Sequence, residues 1–154
     1  MKSLAHLSVI ALTAAVFGAP AVAQAQGAAL TMFFEGDMVS GVNSGPLCVL
    51  KSQYSHGQTV VWRVRVQDQA GKALDNKGVK SLVVELPDGQ KFPMHYGPHP
   101  KGRTDDYFWT VSWKIPADYP TGTFAYKVVA TAPDGKSQTW APFKVKPSEL
   151  TIVK

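Results

Sequence analysis

The side chains in this chain with the most chemical potential are few and unevenly spaced. The stretch FPMHYGPHP (92–100) holds Met94, His95 and His99, and Cys48 is the single cysteine. Imidazole, thiolate and thioether are the borderline-to-soft donors that suit copper, and the same groups serve as axial ligands of haem iron. A copper or haem site drawn from Cys48, Met94, His95 and His99 is therefore one expectation, with Met38 as an alternative thioether. The competing use needs no ion or cofactor. Pro98 and Pro100 hold the backbone around His99 extended, and the stiff loop HYGPHPKGR, which includes Arg103, loses little entropy when it docks on another protein. This second use is the primary expectation, with no cofactor; copper or haem is the alternative.

Catalytic constellations are missing from the pattern. A nucleophile needs a base and an orienting group, and His56, His95 and His99 are candidate bases without a G-x-S-x-G elbow or similar setting. Asp105 and Asp106 are adjacent ahead of a strand, where neighbouring side chains point to opposite faces and make poor acid–base partners. GVNSG (41–45) is a flexible connector with no helix after it, so it cannot cradle a phosphate as a helix-entry loop does. The chain is not expected to be an enzyme. Its formal net charge of +5 is mild, and no basic cluster interleaves with aromatics, so nucleic acid is not an expected partner.

The elements that must position these residues read in period two. TVVWRVRVQ (59–67) sets Val60, Trp62, Val64 and Val66 against Val61, Arg63, Arg65 and Gln67. YFWTVSWKI (107–115) sets Tyr107, Trp109, Val111, Trp113 and Ile115 against Phe108, Thr110, Ser112 and Lys114. Each such strand has one dry and one wet face, which predicts an all-β chain. Strands are expected near 30–35, 46–52, 58–67, 79–86, 90–96, 106–115, 122–131 and 137–146, with 149–153 a further edge. The PDG turns at 87–89 and 133–135 mark hairpins. Antiparallel succession puts the His56 turn at the far end of the sheet from the 97–105 loop, with Cys48 near that loop at the start of its own strand. Trp62, Tyr107, Trp109, Trp113 and Trp140 are expected in the core. Phe108 falls on the wet face and so marks a partner surface; one of Phe33 and Phe34 must also face outward.

The first residues combine Lys2, an apolar stretch from Leu4 to Phe17, and small residues at Ala21, Ala23 and Ala25. That is the pattern of a cleaved secretory signal, too short to span a bilayer. It predicts a leader over 1–23, a flexible segment over 24–29, and one domain over 30–154. The mature chain is expected in the periplasm or secreted, starting at Gln24 or Gln26, and not as an integral membrane protein. With one cysteine it has no internal disulfide, leaving Cys48 buried as a small hydrophobe, paired with another chain, or a ligand.

GQTVVWRVRVQDQAGKAL and YPTGTFAYKVVATAPDGKSQTWAPFKV resemble the second and the last two strands of bacterial immunoglobulin-like domains. The likeness implies an antiparallel β-sandwich of about seven to nine strands. Such domains serve as adhesins, enzyme appendages, carriers and chaperones, so it implies architecture more than activity. Blue-copper proteins group their Cys, His and Met ligands on one loop near the C-terminus, a pattern this chain lacks. The expected function is an exported, non-catalytic accessory module that binds another periplasmic protein. Besides the metal or haem alternative, the fold class is similar to the sandwich carrier subunit of thiosulfate-oxidising complexes.

Overall fold

The computed structural model describes residues 30–99, 102 and 104–154; the expected leader over 1–23, the expected 24–29 segment and Arg103 lie outside them. Alternation in the sequence becomes alternation in burial. In β3 (Thr59–Gln67), Val60, Trp62, Val64 and Val66 are buried while Val61, Arg63 and Arg65 remain half-exposed. β4 (Ser81–Glu85) repeats this with Leu82 and Val84, and β9 (Lys127–Thr131) with Val128 and Ala130. The remaining strands are β1 (Phe33–Ser40), β2 (Gln53–Ser55), β5 (Lys91–Pro93), β6 (His95–Pro98), β7 (Tyr107–Lys114), β8 (Gly122–Phe124), β10 (Ser137–Trp140) and β11 (Leu150–Val153).

They form two four-stranded antiparallel sheets, β1-β3-β7-β6 and β10-β9-β4-β5, and a three-stranded sheet β2-β11-β8 in which β2 and β11 run parallel. One core joins all three sheets. Trp62 is at its centre, ringed by Phe92, Trp113 and Tyr126 at centroid distances of 5.6, 6.3 and 5.9 Å. The architecture is an all-β sandwich, as the period-two pattern predicts.

The chain differs from the expected strand list where it changes sheets. The 90–96 strand is two strands: β5 edges the second sheet and β6 edges the first. Met94 makes the crossing, its N–H still donating to Leu82 O at 2.8 Å while its side chain enters the core. The 122–131 strand divides likewise, with β8 pairing β11 and β9 pairing β4. Crossings of this kind are invisible to alternation, because the side chains on both sides keep pointing into the same core. They raise the strands from the expected seven to nine to eleven among the described residues. Tyr107, expected inside, is exposed at the strand end, and Trp140 is only half-buried. Of the phenylalanine pair, Phe33 faces outward and Phe34 stacks on Trp140 at 6.3 Å.

The strand expected at 46–52 is a loop. β1 runs on to Ser40, and the chain then folds back along the free edge of β1 (Ser40 N–H to Val49 O, 2.8 Å; Lys51 N–H to Met38 O, 3.1 Å). Pairing is too short and irregular for a strand because Gly45 and Cys48 both adopt positive φ. Cys48 thus reaches its place from a loop.

Candidate functional site

The outer face of the β1-β3-β7-β6 sheet carries the polar half of each alternation. Asp37, Arg63, Thr110 and His95 are paired in one row across its four strands, and Phe108 lies opposite Gly97 in the next. Arg63 makes a two-pronged ion pair with Asp37, at 2.6 and 2.9 Å. Arg65 reaches Asp106 at 3.4 Å and Glu35 at 3.7 Å. Both guanidinium groups lie over the Phe108 ring, 5.5 and 4.8 Å from its centroid. The wet-face phenylalanine is therefore a half-buried platform for two arginines.

The returning loop, 41–50, is pinned at both ends. Ser40 is buried, accepts a hydrogen bond from Val49 N–H at 3.1 Å and donates to Pro46 O. Ser44 is buried too; its hydroxyl accepts from Thr59 N–H and donates to Thr59 O, both at 2.7 Å. Lys51 Nζ donates to Ser44 O at 2.8 Å and to Gln58 Oε1 at 3.0 Å. A Cβ on Gly41 would sit 2.9 Å from the Thr59 side chain, so the turn against β3 needs glycine. Val39 faces outward by alternation yet is fully buried, and its bridge to Leu50 places the loop over it.

This loop brings Cys48 to His99. The thiol Sγ is 3.5 Å from His99 Nε2. His99 extends the β6–β7 ladder, donating its N–H to Asp106 O at 2.9 Å, and its ring meets Phe108 edge-on at 6.4 Å. Burial pushes the His99 pKa down, Arg63 adds to that, and Asp37 and Asp106 oppose it. Both causes favour the neutral imidazole over the imidazolium. Cys48 is half-buried, more open than a core cysteine.

The pair opens onto a cleft of about 850 Å³ lined by Leu47, Cys48, His95, His99, Ser112 and Lys114 among others. A second groove, about 440 Å³, lies on the other side of the loop, between Leu50 and Lys51 and the C-terminal Phe143, with Tyr126 and Trp140 also lining it.

Of the candidate metal ligands, Cys48 and His99 meet. His95 lines the same cleft, but it lies four strand residues from His99, about 13 Å along the backbone. Met94 and Met38 are buried in the core, on the opposite side of the sheet from the pair. They are not placed to ligate with it. His56 is at the other end of β3, its Nε2 2.7 Å from Tyr119 O, as the antiparallel argument requires. Among the described residues no group of three or more His, Cys, Asp or Glu is arranged around a common ion position. Sequence reading missed Arg63, Arg65 and Asp37 as neighbours of the site. Their only signal was charge on the wet face of β3 and in the sequence just after Phe34.

Among the described residues no helix is long and apolar enough to cross a membrane. No protein-family model matches this chain, and no curated protein is significantly similar to it in sequence.

Proposed function

We propose that the chain is an exported, non-catalytic, immunoglobulin-like module that binds another periplasmic protein through the 41–50 loop and the clefts on either side of it. One observation carries this reading: Val42, Leu47, Val49 and Leu50 are 64, 65, 51 and 68 % exposed on a loop whose backbone is pinned to β1 and β3. Apolar side chains clustered on an ordered surface favour a protein partner, because their burial is favourable and little entropy remains to be lost. Phe143 (83 % exposed) extends the patch across the second groove. His95 and His99 line the first cleft; Phe108 supports that face from beneath Arg65.

Site-specific photo-crosslinking in the native host tests this. A photoreactive residue at Leu47, Leu50 or Phe143 should yield one discrete protein adduct, and the same residue at Asp134, in a remote hairpin turn, should yield none. Adducts of equal yield from all four positions, or none from the loop, would refute the reading. Leu47→Asp with Phe143→Asp should abolish the adduct while shifting stability by no more than about 0.5 kcal/mol, the usual range for surface changes.

A further inference from the structure

We propose that Cys48 and His99 form a binding site for a soft monovalent cation, copper(I) or its analogue silver(I), held between the thiolate Sγ and the imidazole Nε2. This inference is independent of the protein-contact reading and fails separately from it.

Geometry is the first support. With metal–sulfur and metal–nitrogen bonds of about 2.3 and 2.0 Å, one ion spans donor atoms about 3.5 Å apart when bent and about 4.3 Å when linear. The observed Sγ···Nε2 separation is 3.5 Å. Small side-chain rotations therefore exchange the thiol–imidazole contact for coordination. Copper(I) is satisfied by few donors and prefers thiolate, whereas structural zinc takes four protein ligands.

Charge is the second. Arg63 interacts electrostatically with both Cys48 and His99, and Asp37 is its ion-pair partner. On binding, the thiol proton leaves to solvent and the thiolate sulfur and the Nε2 lone pair take its place around the ion. A thiolate with a monovalent ion is neutral beside Arg63. A divalent ion would leave a net positive charge beside Arg63.

Backbone conformation is the third. Cys48 has φ of +61°, the left-handed region that disfavours a residue with a Cβ. Glycine would fit better, so a side chain is kept at that position at a conformational cost. Such outliers gather where a side chain is needed for binding or chemistry. The open side of the pair faces the cleft, which gives the ion a way in and out.

Anaerobic titration of the purified protein with copper(I), in competition with a chromophoric copper(I) chelator, decides the matter. Wild type should retain one equivalent. Cys48→Ser and His99→Gln should each weaken binding roughly tenfold or more, about 1.4 kcal/mol. His56→Ala, at the other end of β3, should leave it unchanged, and excess zinc should not displace the ion. X-ray absorption of the loaded wild type should show sulfur and imidazole nitrogen scatterers together, a readout independent of how the variants fold. No retention by the wild type, unchanged binding in His99→Gln, displacement by zinc, or a spectrum with sulfur alone would each overturn the site.

Discussion

At Cys48 the residue type and the backbone disagree. Its φ of +61° suits glycine, yet the loop keeps a thiol there, 3.5 Å from an imidazole. Cys48→Gly should therefore be more stable than Cys48→Ala by about 1 kcal/mol, the left-handed penalty of a Cβ less the extra freedom of glycine in the unfolded chain. Urea denaturation midpoints of the two variants measure this, and an alanine variant as stable as the glycine one would place φ elsewhere. His99 makes a second residue-scale prediction. Burial and Arg63 lower its pKa in the folded state, so the unfolded chain binds the proton more readily. Stability from this group is present above the unfolded value of about 6.5 and is lost as pH falls from there through the lower folded value. Between pH 7 and pH 5 the wild-type melting temperature should drop more than that of His99→Ala. Parallel pH profiles would mean that the imidazole is as solvated in the folded chain as in the unfolded one.

β3 and β7 pair centrally in the first sheet, and their shared register decides which side chains face the core and which the site. Val60 pairs with Trp113 on the inner side, and Arg63 with Thr110 on the outer. Trp113 is 9 % exposed and Ser112 is exposed. Trp113→Ala should cost about 3–5 kcal/mol and Ser112→Ala close to nothing, compared by chemical denaturation. Equal effects would mean that β7 is shifted in register by one, which would also turn Phe108 into the core. β1 depends on its partners differently. A Cβ on Gly36 would come within 2.8 Å of the Trp140 ring, so this edge strand relies on glycine to let the indole close the sandwich. Gly36→Ala forces that ring aside.

For the molecule as a whole, the three sheets share one core. Leu150 and Ile152 of β11 are as fully buried as Trp62 of β3, and all three belong to the same cluster. Unfolding should then be a single cooperative event. Tryptophan fluorescence reports from both large sheets, through Trp62, Trp109, Trp113 and Trp140, and should coincide with far-ultraviolet circular dichroism across a denaturant series. Ile152→Ala should shift both curves together, by about 2–5 kcal/mol. Separate transitions would make the β2-β11-β8 sheet an appendage. The exposed patch belongs to the same scale. Leu50 comes from the returning loop and Phe143 from the segment after β10, and they line one groove only because that loop folds back along the edge of β1, while Leu47 lines the cleft on the loop's other side.

Alternating burial along β3, β4, β7 and β9 was legible in the residues alone, because a strand in a sandwich must give one face to the core and a period of two states which. The all-β class, the outward position of Phe108 and the separation of His56 from His99 all follow from that period and from antiparallel succession. Tertiary structure decided everything that depends on which edge the chain joins next. Met94 is a core residue at a sheet crossing, Cys48 sits on a backbone turn with no strand around it, and Arg63 and Asp37 stand beside the thiol–imidazole pair. Alternation reports the face of a strand and says nothing about its neighbour. Neighbours are chosen by contacts between residues dozens of positions apart: antiparallel succession put Cys48 near the 97–105 loop, and only the folded chain sets Arg63 and Asp37 beside the pair.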